Sequence, residues 1–121
     1  MDSAFDNWTV QLRKGVLELC ILSYIGREEE CYGYELTKQM AAIPGLEVSE
    51  GSIYPLLSRL CKQGVVQTEL KETSNGPARK YYRLTVAGRA RMVAMQEYYQ
   101  TLGSGIDLML KTETITKSED E

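Results

Sequence analysis

Residues 49–88 read SEGSIYPLLSRLCKQGVVQTELKETSNGPARKYYRLTVAG, and their periodicity changes once, at Gly64. Before that glycine, Ile53, Leu56, Leu57 and Leu60 recur at helical spacing and make one tight apolar stripe. Ser49 suits an N-cap, because its hydroxyl can accept from a free amide of the first turn, and Glu50 suits the positive end of the helix dipole. Gly51, Pro55, Ser58 and Lys62 fall on the opposite side, flanked by Tyr54 and Arg59. Pro55 lacks an amide hydrogen, which predicts a distorted first turn or a start nearer Ile53. After Gly64 the period is two: Val66, Thr68 and Leu70 alternate with Gln67, Glu69 and Lys71, predicting a strand over 65–72. A second strand is expected over 78–84, with Tyr82 and Leu84 inward and Arg79, Tyr81 and Arg83 outward. Asn75-Gly76 between them is a hairpin signal, since both residues tolerate the left-handed backbone of a tight turn.

Upstream, residues 10–25 have helical spacing with apolar residues on two faces: Leu12, Val16, Leu19 and Cys20 on one, Leu17, Ile21 and Tyr24 on the other. Such a helix needs cover on both sides, and in a chain this short a partner subunit is a natural source of the second. Gly26 and the acidic run 28–30 end it. A short helix is expected over 33–42, with Leu36 and Met40 inward and Ile43-Pro44-Gly45 as its breaker. Downstream, Thr85 caps a final helix over 86–111. There Met92, Met95, Tyr99, Leu102, Ile106 and Met109 repeat as a heptad seam, longer than the small domain alone can cover. The alternative is a packing stripe within one chain. Gly103 and Gly105 each cost roughly 1 kcal/mol in a helix, which predicts a kink or fraying in the last turns. Residues 112–121 are polar and acidic and are expected to be a disordered tail.

Composition narrows the functional classes. A chain of 121 residues holds one core, not a catalytic domain beside a binding domain. No apolar run approaches the ~18 residues of a membrane span, and the acidic start MDSAFDNW lacks the order of a signal peptide, so a cytoplasmic, nucleoid-associated location is expected. There is no histidine, and Cys20, Cys31 and Cys61 lack metal-ligand spacing. Neither a metal site, a cofactor nor an imidazole-driven active site is expected, and Cys20 and Cys61, set among apolar neighbours, read as small core residues, with a redox-sensing role as the alternative. The formal charge of −3 conceals an uneven distribution. Residues 49–91 hold eight cations against three acids, while both flanking segments are net acidic. Concentrated positive charge is what a phosphate backbone requires.

The order helix, helix, helix, hairpin, helix defines a mostly α fold with a small β-hairpin (α+β). It is a winged helix-turn-helix domain over 1–84, followed by a dimerisation helix over 85–111. The small, polar outward face of the third helix suits a major groove, and the reading requires Arg59, Arg79 and Lys80 to share one surface.

The stretches QLRKGVLELCIL (11–22), YGYEL (32–36), SEGSIYPLLSRLCKQG (49–64) and GPARKYYRLTVAG (76–88), with the long helix that follows, resemble the short-tailed branch of the PadR family of bacterial winged-helix repressors. The likeness runs in register over about residues 8–110; Cys61, where an acid is expected, and the pair Gly103 and Gly105 depart from it. The resemblance implies a homodimer built by the first and last helices, with Val16, Met92, Met95, Tyr99, Leu102 and Ile106 at the interface. It also implies duplex DNA, an operator, as partner. Groove-facing positions are then Ser49, Gly51, Ser52, Tyr54, Pro55 and Arg59, and wing positions Asn75, Gly76, Arg79 and Lys80. Each has a structural alternative: Ser49 as a cap only, Tyr54 as a packing ring. Family members commonly repress neighbouring genes, and some are released by a small aromatic or hydrophobic effector. Trp8, Val16, Met92, Met95 and Tyr99 are the candidates to line a pocket for one; plain core is the alternative. Trp8 is expected just before the first helix. The rival functional reading is a winged-helix protein-interaction module that does not bind DNA, for which the net acidity argues.

Overall fold

The computed structural model describes residues 2–111, so the acidic segment 112–121 lies outside the described residues. The elements run α1 (Ser3–Glu28), β1 (Cys31–Tyr32), α2 (Gly33–Ala41), α3 (Glu50–Lys62), β2 (Val66–Thr73), β3 (Gly76–Leu84) and α4 (Val86–Leu110). All three strands are antiparallel in the order β1-β3-β2, with Cys31 opposite Tyr82 and Thr68 opposite Tyr82 from the other side.

The core forms where the predicted stripes converge. Ile21, Leu22 and Ile25 of α1, Leu36 and Met40 of α2, and Ile53, Leu57 and Leu60 of α3 are buried together. Cys31, Val65, Val66, Tyr82 and Met92 close that cluster from the sheet and α4. Burial pushes the Cys31 thiol up to about 12, with Glu35, Glu28 and Glu30 adding to the shift, so it stays protonated and packs as a small hydrophobe.

Three expectations are corrected by this geometry. The first helix begins at Ser3, not near Val10: Asp2 caps it by accepting from the Phe5 amide at 2.7 Å, and Trp8 lies inside it. The third helix begins at Glu50, directly after the expected cap Ser49, and keeps Pro55 in its interior, so the start nearer Ile53 is not found. The carbonyl that Pro55 leaves unbonded is that of the exposed Gly51, where water can serve it. The last helix runs unbroken through Gly103 and Gly105 to Leu110. The strand β1 has no counterpart in the sequence reading.

The hairpin continues straight into α4 through Thr85. Its backbone amide donates to the Val65 carbonyl at 3.1 Å, and its hydroxyl donates to the Gly64 carbonyl at 2.7 Å. The same hydroxyl oxygen accepts from the Gly88 amide at 2.9 Å, capping the helix. Gly88 lies so close to Val65 that a β-carbon would stand 1.9 Å from the Val65 carbonyl oxygen. Gly88→Ala is therefore expected to destabilise the fold by about 2–3 kcal/mol, although alanine is the better helix former. A thermal or urea melt that shows Gly88→Ala as stable as the parent would refute this crossing.

Candidate nucleic-acid interface

The helix-turn-helix pair is set by a contact between Gly33 and Tyr54. Gly33 opens α2, and a β-carbon there would stand 2.4 Å from the Tyr54 ring. The absence of that carbon lets the ring lie against the start of α2, still substantially exposed. Burial, with Glu50 nearby, raises the Tyr54 pKa, and its phenol is a hydrogen-bond donor at neutral pH as an unshifted tyrosine also is. Glu35 accepts from the Tyr32 amide at 3.1 Å and secures the first turn of α2. On α3 the Ser49 hydroxyl accepts from the Ser52 amide at 3.2 Å.

The outward face of α3 presents Gly51, Pro55, Ser58 and Lys62, all exposed. Tyr54 and Arg59 flank it about 140° apart around the helix axis. On the Tyr54 side an open hollow is bordered by Tyr32, Tyr34, Tyr54, Arg79 and Lys80, with Tyr82 at its base. Arg79 lies over the Tyr32 ring, 4.4 Å from its centroid, which fixes the guanidinium beside that hollow. Tyr32 meets Tyr81 edge-on at 5.5 Å, and Lys71 lies 5.1 Å over Tyr81. These four side chains tile the outer face of the sheet. Asn75 and Gly76 stand at the exposed wing tip, where the Thr73 hydroxyl donates to the Gly76 carbonyl at 3.0 Å.

The single shared surface that the sequence reading required of Arg59, Arg79 and Lys80 is not found: Arg59 does not join the other two. Its guanidinium lies 3.6 Å from Glu18 of α1, on the far flank of α3, so the cations bracket the recognition face instead of clustering on one side. Tyr32, Tyr34, Lys62 and Lys71 were missed as site candidates. The stretch YGYEL carried the first two, but an aromatic in a sequence does not say whether its hydroxyl faces outward.

The seam residues divide as well. Met92 is in the core, packed against Gly26, and Met95 partly joins it, whereas Tyr99, Leu102 and Ile106 are exposed in the single chain. Between α1 and α4 runs an apolar groove of about 540 Å³ lined by Leu12, Val16, Leu19, Met95, Tyr99 and Leu102. It includes Val16, Met95 and Tyr99 of the expected pocket but neither Trp8, 59% exposed farther along α1, nor the core residue Met92.

A helix-turn-helix with a flanking strand pair, and cations on both borders of an exposed recognition helix, define a winged-helix DNA-binding transcription regulator. The comparisons are specific. The transcriptional regulator PadR-like family matches residues 21–94. A transcriptional regulator of Mycobacterium tuberculosis is 34% identical over 82 residues, covering 68% of this chain and 74% of that protein. The crystal structure of a PadR-like transcriptional regulator from Bacillus cereus superposes with a TM-score of 0.76 at 40% identity, covering 84% of this chain and 98% of the other. A PadR family regulator from Eggerthella lenta gives 0.73 at 30% identity, over 92% of this chain and 99% of the other. The chain belongs to the PadR-like family of transcriptional regulators, whose members are regulators and not enzymes.

At the wing base Glu30 meets Lys71 at 2.5 Å and Arg83 at 3.3 Å. The Lys71 hydrogen bond, more than its charge or that of Arg83, holds the Glu30 carboxyl below its ordinary value, and the Lys71 amine is raised in return. A lowered folded-state carboxyl stabilises above its unfolded value of about 4.3 and loses that contribution as pH falls through the folded value. The melting difference between the parent and Glu30→Gln is therefore expected to stay constant from pH 7 to about 4.3 and to shrink only below it. A gap that closes by pH 6 would assign the effect to another group.

Proposed function

We propose that the chain is a homodimeric repressor of neighbouring genes that binds an operator in duplex DNA and is released by a small hydrophobic or aromatic effector. Residues 1–84 supply the DNA face and 85–111 the pairing helix. A cytoplasmic location follows from action on the chromosome, and no helix among the described residues is long and apolar enough to cross a membrane. One observation carries the reading: the exposed stripe Gly51, Pro55, Ser58 and Lys62 is bordered by Arg79 and Lys80 on one flank and Arg59 on the other. Small residues let α3 approach base edges in a groove about 12 Å wide while bordering cations meet the phosphates. Ser49 and Ser52 at the start of α3 extend the polar edge, and Asn75 and Gly76 at the wing tip reach toward the adjacent minor groove.

Pairing is supported by the length of the two outer helices. Phe5, Trp8 and Leu12 on α1 and Tyr99, Leu102 and Ile106 on α4 are apolar side chains that the described residues leave exposed. The groove between these helices is within the range of small-molecule sites, which supports an effector at the dimer interface. The second reading, a protein-interaction module, is favoured by the net charge of −3.

Arg79→Ala and Lys80→Ala are each expected to weaken binding to duplexes of any sequence and to lower the slope of log affinity against log salt by about one. Binding indifferent to both substitutions and to salt, in a shift assay on the DNA upstream of the chain's own gene, would favour the interaction module. Ile106→Asp places a charge in the apolar seam away from the core and is expected to give folded monomers by light scattering. A dimer that survives this substitution would place the interface elsewhere.

A further inference from the structure

Glu18 is a half-buried carboxylate on α1 facing two guanidiniums, one from the recognition helix and one from α4. Arg91 donates to it at 3.3 Å and to Gln63, at the end of α3, at 2.6 Å. Arg59 approaches the other carboxylate oxygen at 3.6 Å, too far for a hydrogen bond, and its side chain makes none among the described residues. Arg59 is also the most exposed of the three, at 51% against 38% for Arg91 and 20% for Glu18. The two contacts thus differ in kind. Arg91 is held by hydrogen bonds to both Glu18 and Gln63 and gives Glu18 a hydrogen-bonded counterion, whereas Arg59 is a surplus cation held by charge alone.

We propose that Glu18 is a built-in competitor for Arg59, holding this cation in the free protein and yielding it to a backbone phosphate when DNA binds. The proposal rests on the DNA-binding reading above. Arg59 stands at the border of the outward face of α3, with Glu18 on one side and solvent on the other. An exposed ion pair of this length is weak, and a phosphate site offers the release of condensed counterions in addition to the charge itself. With Arg91 and Gln63 fixed, the exchange leaves Glu18 paired and α3 anchored. Glu18 therefore tunes how much electrostatic affinity the recognition helix delivers without itself touching DNA.

The test is a double-mutant cycle on a mixed-sequence duplex of about 30 base pairs, long enough for two half-sites one turn apart. Glu18→Gln keeps the size of the side chain and can still accept from Arg91. It is expected to raise affinity roughly two- to five-fold, the scale of an exposed ion pair. Its salt slope should be no shallower than the parent's and steeper by up to about 0.9, the increment for one added phosphate contact. In an Arg59→Ala background the same substitution should change neither. Arg59→Ala alone should flatten the slope, and melts of all four proteins report folding independently. An equal gain with and without Arg59 would overturn the proposal, because Glu18 would then act through net charge only. An Arg59-dependent loss would overturn it too, by showing that Glu18 aims Arg59 at DNA. A parent protein without salt-dependent binding would instead remove the DNA-binding reading, and this proposal with it.

Discussion

The passage of the chain across itself at Thr85 and Gly88 holds the other parts in place. One threonine side chain caps α4 and hydrogen-bonds the turn that ends α3, while its backbone amide joins the start of β2. The glycine three residues on allows the helix to sit on the Val65 carbonyl. The third helix, the hairpin and α4 therefore meet within a few residues. Gly64 ends α3 with φ at 78°, a left-handed conformation that costs glycine little and other residues more. Gly26 does not end α1, which runs on to Glu28; like Gly88 it allows a close approach, since a β-carbon there would stand 2.6 Å from the Met92 sulfur.

The electrostatics answer the question posed by an acidic protein that binds DNA. Glu50, Glu69 and Glu72 stay exposed on α3 and the hairpin, but the two half-buried carboxylates behind that face are each committed to cations. Glu30 is committed to Lys71 and Arg83 at the wing base, and Glu18 to Arg91 and Arg59 behind the recognition helix. Each carboxylate is shared by two cations, so each group retains a net positive charge. The Arg79 guanidinium is placed by the Tyr32 ring instead of by an acid, which leaves its charge uncompensated. A face can thus be cationic within a molecule whose sum is negative, because screening in salt makes an acid more than about 10 Å away nearly irrelevant.

The sequence was most legible where a residue's partner lies on its own element or in the core. The stripe Ile53, Leu57 and Leu60, the cap at Ser49 and the inward Tyr82 all appear as the periodicity implied. Legibility fell where the partner is elsewhere. Leu70 continues the alternation of β2 yet is 68% exposed, because the distal half of the hairpin projects past the core. Two residues of β1 are too few to show a period, and their strand character comes from pairing with β3. The start of α1 carries Phe5 and Trp8, which touch each other but not the core among the described residues, so no packed stripe marked its first turns. Arg59 is the clearest instance among site residues: helical arithmetic put it on the flank of α3 but could not place Glu18 beside it.

The absence of a linker between the hairpin and α4 has a mechanical consequence. β3 ends at Leu84 and α4 begins at Val86, with the single intervening residue bonded on both sides. In the paired form proposed here, a change in the angle at which two such long helices cross would be transmitted to both reading heads as a rigid lever, without slack to absorb it. The distance between the heads, and hence the operator phase they accept, becomes a function of that one angle. A molecule lodged between the shafts need not approach the double helix to loosen the grip on it.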